Sequence, residues 1–172
     1  MQKTLLVAIH RKWLFKILHE DKEFEFRNWK VPEGTVLYFY ESKGPRKGML
    51  NETPVNEGRG LVMARARVKK VYDLHDNKDS YDWITRNESN PPSWITPEMA
   101  EGWGYTNQKY AIELEDIEIA ARHISIHEFL KSGTNDPVKK APQSRVYVWT
   151  KKVNSNDFVK RLKWSTLQKC TT

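Results

Sequence analysis

Residues 58–74 read GRGLVMARARVKKVYDL, the longest strand signal in the chain. Val62, Ala64, Ala66 and Val68 are small or β-branched, and they alternate with Met63, Arg65, Arg67 and Lys69. A period of two puts each set on its own face of a strand. The even positions then face a core, and the odd positions form a basic row on the other side.

The flanking segments repeat that logic. VPEG (31–34) has turn chemistry and TVLYFYE (35–41) is the next strand upstream, after TLLVAI (4–9) as a short buried one. Between those two, RKWLFKILHED places Trp13 and Ile17, and Leu14 and Leu18, four residues apart. That spacing predicts a short amphipathic helix with Arg11, Lys12 and Lys16 on its wet face. KEFEFRN (22–28) alternates as a half-buried strand, Phe24 and Phe26 inward and Glu23, Glu25 and Arg27 outward.

Downstream, KYAIELEDIEIAARHI (109–124) and APQSRVYVWTKK (141–152) are strand-like. SIHEFLKSG (125–133) predicts a short helix, with Ser125 and Glu128 as a capping box and Gly133 as its stop. Residues 74–105 break the strand pattern with two short helical segments, DSYDWITR and TPEMAEGW, around an NPPSW turn. That segment is a candidate lid, with Trp94 and Trp103 as candidate stacking rings. The 42–58 segment is a long Gly- and Pro-containing loop, a length that points to function or disorder.

Strands separated by small helices, without a βαβ rhythm, predict an α+β fold: a mixed β-barrel of about five to seven strands with short peripheral helices. One domain over 1–152, with 74–105 as a helical insertion, and a basic, helical tail over 153–172 account for the 172 residues.

Bulk chemistry narrows the partners. The net charge is +7 and 12% of residues are aromatic, seven of them Trp. Excess Lys and Arg favour polyanions through counterion release, and rings between cations are what single-stranded nucleic acid needs for base stacking. Arg145, Tyr147, Trp149 and Lys151 share one face of the last strand in this way, and Arg65, Arg67 and Lys69 repeat the cations without the rings. The lone Cys170 makes no internal disulfide, and neither a signal-peptide core nor an apolar run long enough to span a membrane occurs, so the cytoplasm is the expected compartment. Asn51 and Asn87 match a glycosylation pattern that has no meaning without secretion.

His123 and His127 lie four apart but lack the further ligands that zinc requires. No phosphate-binding loop motif and no nucleophile-elbow motif occurs, so neither a metal nor a cofactor is implied.

The order of elements resembles the ASCH family of the PUA-like superfamily. DKEFEFR (21–27) matches the family's strand at Lys22, Glu25 and Arg27, while Glu20 stands where a turn glycine is usual. GRGLVMARARVKKVYDL, KYAIELEDIEIA and APQSRVYVW resemble its later strands, with Gln143 and Ser144 in a Pro-Gln-Ser turn. The resemblance spans roughly residues 4–150 and rests on many weak positions.

It implies a cation-lined cleft beside the first helix, with Lys22 at its mouth. The expected contacts to RNA or another single strand are Lys12, Lys16, Lys22, Arg27, Lys43, Arg46, Arg65, Arg67, Gln143, Arg145, Tyr147 and Trp149. Some relatives hydrolyse acylated cytidine with a Lys, a Thr and a Glu, and others are ribonucleases. Glu25 stands at the threonine position, which argues against a direct transfer of the amidase mechanism; Lys22, Glu25 and Ser144 are the expected catalytic groups if chemistry occurs. A monomer or homodimer with no membrane partner completes the expectation, with a protein-interaction domain as the third class.

Overall fold

The computed structural model describes residues 3–19, 23–43, 58–73 and 109–162. Lys22, Arg46, the helices expected within 74–105, Trp94, Trp103, Asn51, Asn87 and Cys170 lie outside them.

Eight strands form one mixed sheet. They are β1 (Thr4–Ile9), β2 (Phe24–Arg27), β3 (Val36–Glu41), β4 (Val62–Asp73), β5 (Tyr110–Ile124), β6 (Leu130–Lys131), β7 (Arg145–Trp149) and β8 (Phe158–Lys160). Their order is β2-β5-β4-β3-β1-β7-β6, with β8 added onto β5. β1 and β3 run parallel, because the helix α1 (Arg11–His19) carries the chain over after β1. The fold is α+β as expected, with β6 and β8 as short additions to the expected strands.

Two cores hold the sheet. Leu5, Val7 and Ile9 of β1, Leu37 and Phe39 of β3, Ala64, Ala66 and Val68 of β4, and Ile112 and Leu114 of β5 close on Leu14 and Ile17 of α1. On the other face Leu6, Tyr38 and Tyr40 pack with Phe129, Val138, Val148, Val153 and Phe158. Each fully buried side chain of the size of Phe39 or Phe129 contributes about 1.5–3 kcal/mol.

Bulges move residues from one core to the other. Phe39 pairs with Ala64 but Tyr40 with Val62, so Met63 is an extra residue and Val62 joins the second core instead of continuing the Ala64–Ala66–Val68 row. Further along, Val68 pairs with Leu114 and Lys70 with Glu113, and the inward position passes to Val71. Asp116, at φ 50, lies within the irregular stretch of β5 opposite Arg65–Arg67.

The largest correction concerns β2. Glu25 pairs with Ile112 and Phe26 with Ala111, so Glu25 and Arg27 share the inward face with Ile112 of the first core. Phe24 and Phe26 lie on the other face, where Phe24 is buried as expected and meets the Tyr72 ring at 6.4 Å. Alternation defines two faces but not which one is interior; the pairing with β5 decides that.

Smaller corrections follow the same principle. Lys16, expected on the wet face of α1, is buried, and Phe15 is 52% exposed instead. The predicted helix after Ser125 is one 3-10 turn (Ile126–Glu128) with the expected capping box, and the chain then enters β6. The stretch expected to begin a basic tail packs Val153 and Phe158 into the second core, and β8 follows a second capped 3-10 turn (Ser155–Asp157). Arg161 then donates to the Ile17 carbonyl in the last turns of α1, at 2.6 Å.

Candidate nucleic-acid interface

β2 is one end of the strand path, and β1 and β7 lie towards the other. Side chains span the gap between them. Arg27 Nη2 donates to the Ala8 carbonyl at 2.8 Å, Trp29 Nε1 to Ser144 Oγ at 2.9 Å, and Arg145 Nη1 to the Lys30 carbonyl at 3.1 Å. The Ala8 amide in turn donates to the Ser144 carbonyl at 2.9 Å. These contacts define the mouth of the barrel, at the C-terminal ends of β1 and β2 and the start of β7.

Arg27 does most of the joining. Its Nε donates to Glu25 Oε1 at 3.0 Å, and Glu25 is only 6% exposed. A carboxylate so deep is tolerated because a cation and hydrogen bonds compensate it. The Arg27 guanidinium also lies 5.6 Å from the Trp29 ring centre, and that of Arg145 lies 4.3 Å from it. Trp29 is therefore oriented by a hydrogen bond to its N–H and approached by two guanidinium groups.

β7 continues the surface. Arg145 and Tyr147 pair with Val7 and Leu5, so they share the side of the sheet that holds the first core, while Val148 is buried in the second. Tyr147 is 43% exposed, which leaves its ring open to a partner.

The structure thus brings together Glu25, Arg27, Ser144, Arg145 and Tyr147 of the expected residues. Lys12 and Lys43 are not joined to these residues: the Lys12 ammonium lies 5.1 Å from the Trp13 ring centre, and the Lys43 side chain lies against Gly60 at the turn into β4. Gln143 is exposed beside Ser144, and Trp149 is half-buried at the far end of β7, opposite Leu130. Lys16 is buried on α1.

Arg65 and Arg67 are not brought to the mouth. Arg65 is bound to Glu118 and stacks on Phe158 at 4.6 Å, on the side of the second core. Arg67 pairs with Asp116 and Lys69 with Glu113, so acids of β5 answer the basic row of β4.

Trp29 and Glu41 belong to this region without having been singled out by sequence reasoning. Both carried a signal. Trp29 has the parity of Glu25 and Arg27, and Glu41 that of the inward Leu37 and Phe39.

No protein-family model matches the sequence, and no curated protein matches it. Solved structures do. A crystal structure of an ASCH protein from Zymomonas mobilis matches with a TM-score of 0.51 at 15% identity, over 98% of this chain and 94% of that one. A serine-to-alanine variant of the same protein matches at 0.53, over 99% and 95% of the two chains, and a tyrosine-to-phenylalanine variant at 0.52, over 99% and 97%, both at 15% identity. The fold of this chain is ASCH-like.

Proposed function

We propose that this ASCH-like barrel binds single-stranded RNA, or a nucleotide derived from it, across the mouth between β2 and β7. The observation that carries the reading is the Trp29 ring, held by Ser144 and approached by Arg27 and Arg145, beside the exposed Tyr147 ring on the same face. Rings offer a stacking surface to any base, and guanidinium groups attract the phosphates between bases.

The test is salt-dependent binding of short single-stranded RNA and DNA. Affinity falls as salt rises, and each phosphate contact removed lowers the log–log slope by about 0.7. Arg145→Ala together with Tyr147→Ala weakens binding at every salt concentration. Absence of binding at low salt, or indifference to the double substitution, overturns the reading.

A second reading, hydrolysis of a modified nucleoside such as acylated cytidine or cleavage of RNA, uses the same mouth. Its support is a buried carboxylate, Glu25, and a hydroxyl, Ser144, on neighbouring elements there. Turnover of labelled RNA or acylated cytidine that is lost in Ser144→Ala selects this reading; binding without turnover selects the first.

A further inference from the structure

Glu41 ends β3 with its side chain on the inward face, after Leu37 and Phe39. It is 5% exposed, so its carboxylate is held out of water. Oε1 accepts the Arg59 amide at 2.8 Å, and this bond fastens the turn that leads into β4. That turn is tight: a Cβ at Gly58 would lie 1.8 Å from the Ser42 carbonyl oxygen and 3.0 Å from Glu41 Cγ. Turn fastening accounts for one oxygen only. Oε2 has no hydrogen-bond partner, and no Lys or Arg pairs with Glu41, among the described residues. A buried carboxylate with an unmet oxygen is costly unless a donor completes it.

Its position says where that donor comes from. Glu41 pairs in register with Ile9, and the neighbouring Ala8 carries the carbonyl that receives Arg27 and the amide that binds Ser144. One strand spacing, about 4.8 Å, separates the Glu41 backbone from the β1 residue next to that junction. The carboxylate therefore enters the barrel beside the mouth where Arg27, Trp29 and Arg145 converge. No group of three or more His, Cys, Asp or Glu that could hold a metal ion forms among the described residues, so an N–H donor suits Oε2 better than a cation.

We infer that Glu41 reads the base of the bound nucleotide, accepting a hydrogen bond from an exocyclic amino group. This assignment rests on the nucleic-acid reading above and adds its selectivity. An ionised carboxylate only accepts, so cytosine, with its 4-amino group, satisfies Oε2. Uracil presents a 4-oxo group there and sets two acceptors against each other, which leaves both unpaired. The cations at the mouth serve phosphate, and the carboxylate serves the base edge.

The experiment compares six-residue oligocytidylate and oligouridylate at one salt concentration, with the wild-type chain and Glu41→Gln. Gln keeps an oxygen for the Arg59 amide but offers an NH2 where Oε2 stood, which welcomes a 4-oxo group. The expected result is a preference for oligocytidylate of about tenfold or more in the wild type, equivalent to about 1.4 kcal/mol. Glu41→Gln abolishes or reverses it. Equal binding of the two oligomers by the wild type, or an unchanged ratio in a folded Glu41→Gln variant, overturns the assignment and leaves the nucleic-acid reading standing. Binding of neither oligomer overturns both. If Glu41→Gln does not fold, the wild-type ratio decides alone.

Discussion

β2 and β4 carry the same kind of sequence, charged residues at every second position, and the fold uses them in opposite ways. On β2, Glu25 and Arg27 turn into the barrel, pair with each other and reach Ala8 across the gap beside β1. On β4, Arg65, Arg67 and Lys69 each meet an acid of β5, at Glu118, Asp116 and Glu113. A charge pattern thus has no fixed meaning until the partner strand is known. Opposite β2 stands the apolar Ile112, which makes the charged face interior. Opposite β4 stands a row of carboxylates, which largely neutralises it.

The sharpest way to break this comparison is to remove one cation from each strand. Arg27→Ala removes the cation that the buried Glu25 meets at 3.0 Å and the donor to the Ala8 carbonyl, and lowers unfolding free energy by about 3–5 kcal/mol. Arg67→Ala removes a pair in which the side chains are 47% and 66% exposed, and costs less than about 1 kcal/mol. Urea unfolding of both variants measures the difference. Equal losses would show that the interior placement of Arg27 carries no special energetic weight.

RNA affinity gives the next largest contrast. Tyr147→Ala loses a stacking ring, about 1–3 kcal/mol or roughly five- to more than hundredfold in affinity, with little change in melting temperature. Arg145→Ala weakens binding and flattens its salt dependence, whereas Arg67→Ala changes binding little because Asp116 already cancels its charge. An effect of Arg67→Ala as large as that of Arg145→Ala would return the β4 row to the binding surface.

The comparison also marks how far sequence reasoning reaches. Strand periodicity gave β1, β3, β4, β5 and β7 nearly to their ends, since those runs are long or strongly apolar. The polarity of β2 was hidden because four residues with alternating Phe and charge fit either orientation, and only the Glu25–Ile112 register chooses. The exchange of Val62 between cores was hidden because the bulge at Met63 depends on the pairing with β3. Arg145 and Tyr147 were legible from the alternation of a single strand, and Ser144 only from the family resemblance. Their meeting with Trp29 was not, since it joins side chains 115 residues apart across the barrel gap.

Arg122 tests a third arrangement, between buried pair and surface row. It donates to Glu128 Oε1 at 2.7 Å and to Asp157 Oδ1 at 2.9 Å, and each acid also closes a capping box, accepting the Ser125 or Asn154 amide. One guanidinium therefore joins the two 3-10 turns that cover the second core. The Arg122 hydrogen bonds hold both carboxyls below their ordinary values, helped by the capping amides. A folded-state value below the unfolded one contributes stability that is present above the ordinary carboxylate range, about pH 4, and is lost as pH falls through the depressed values. Arg122→Gln removes the charge and most of that depression. Its deficit in melting temperature against the wild type is then small but measurable near pH 7, and shrinks as pH falls from about 4 towards 2. High salt reduces it as well, because the guanidinium is 39% exposed. A deficit that stays constant from neutral to strongly acidic pH would mean that Arg122 acts here by packing, and that only Arg27 draws its importance from charge.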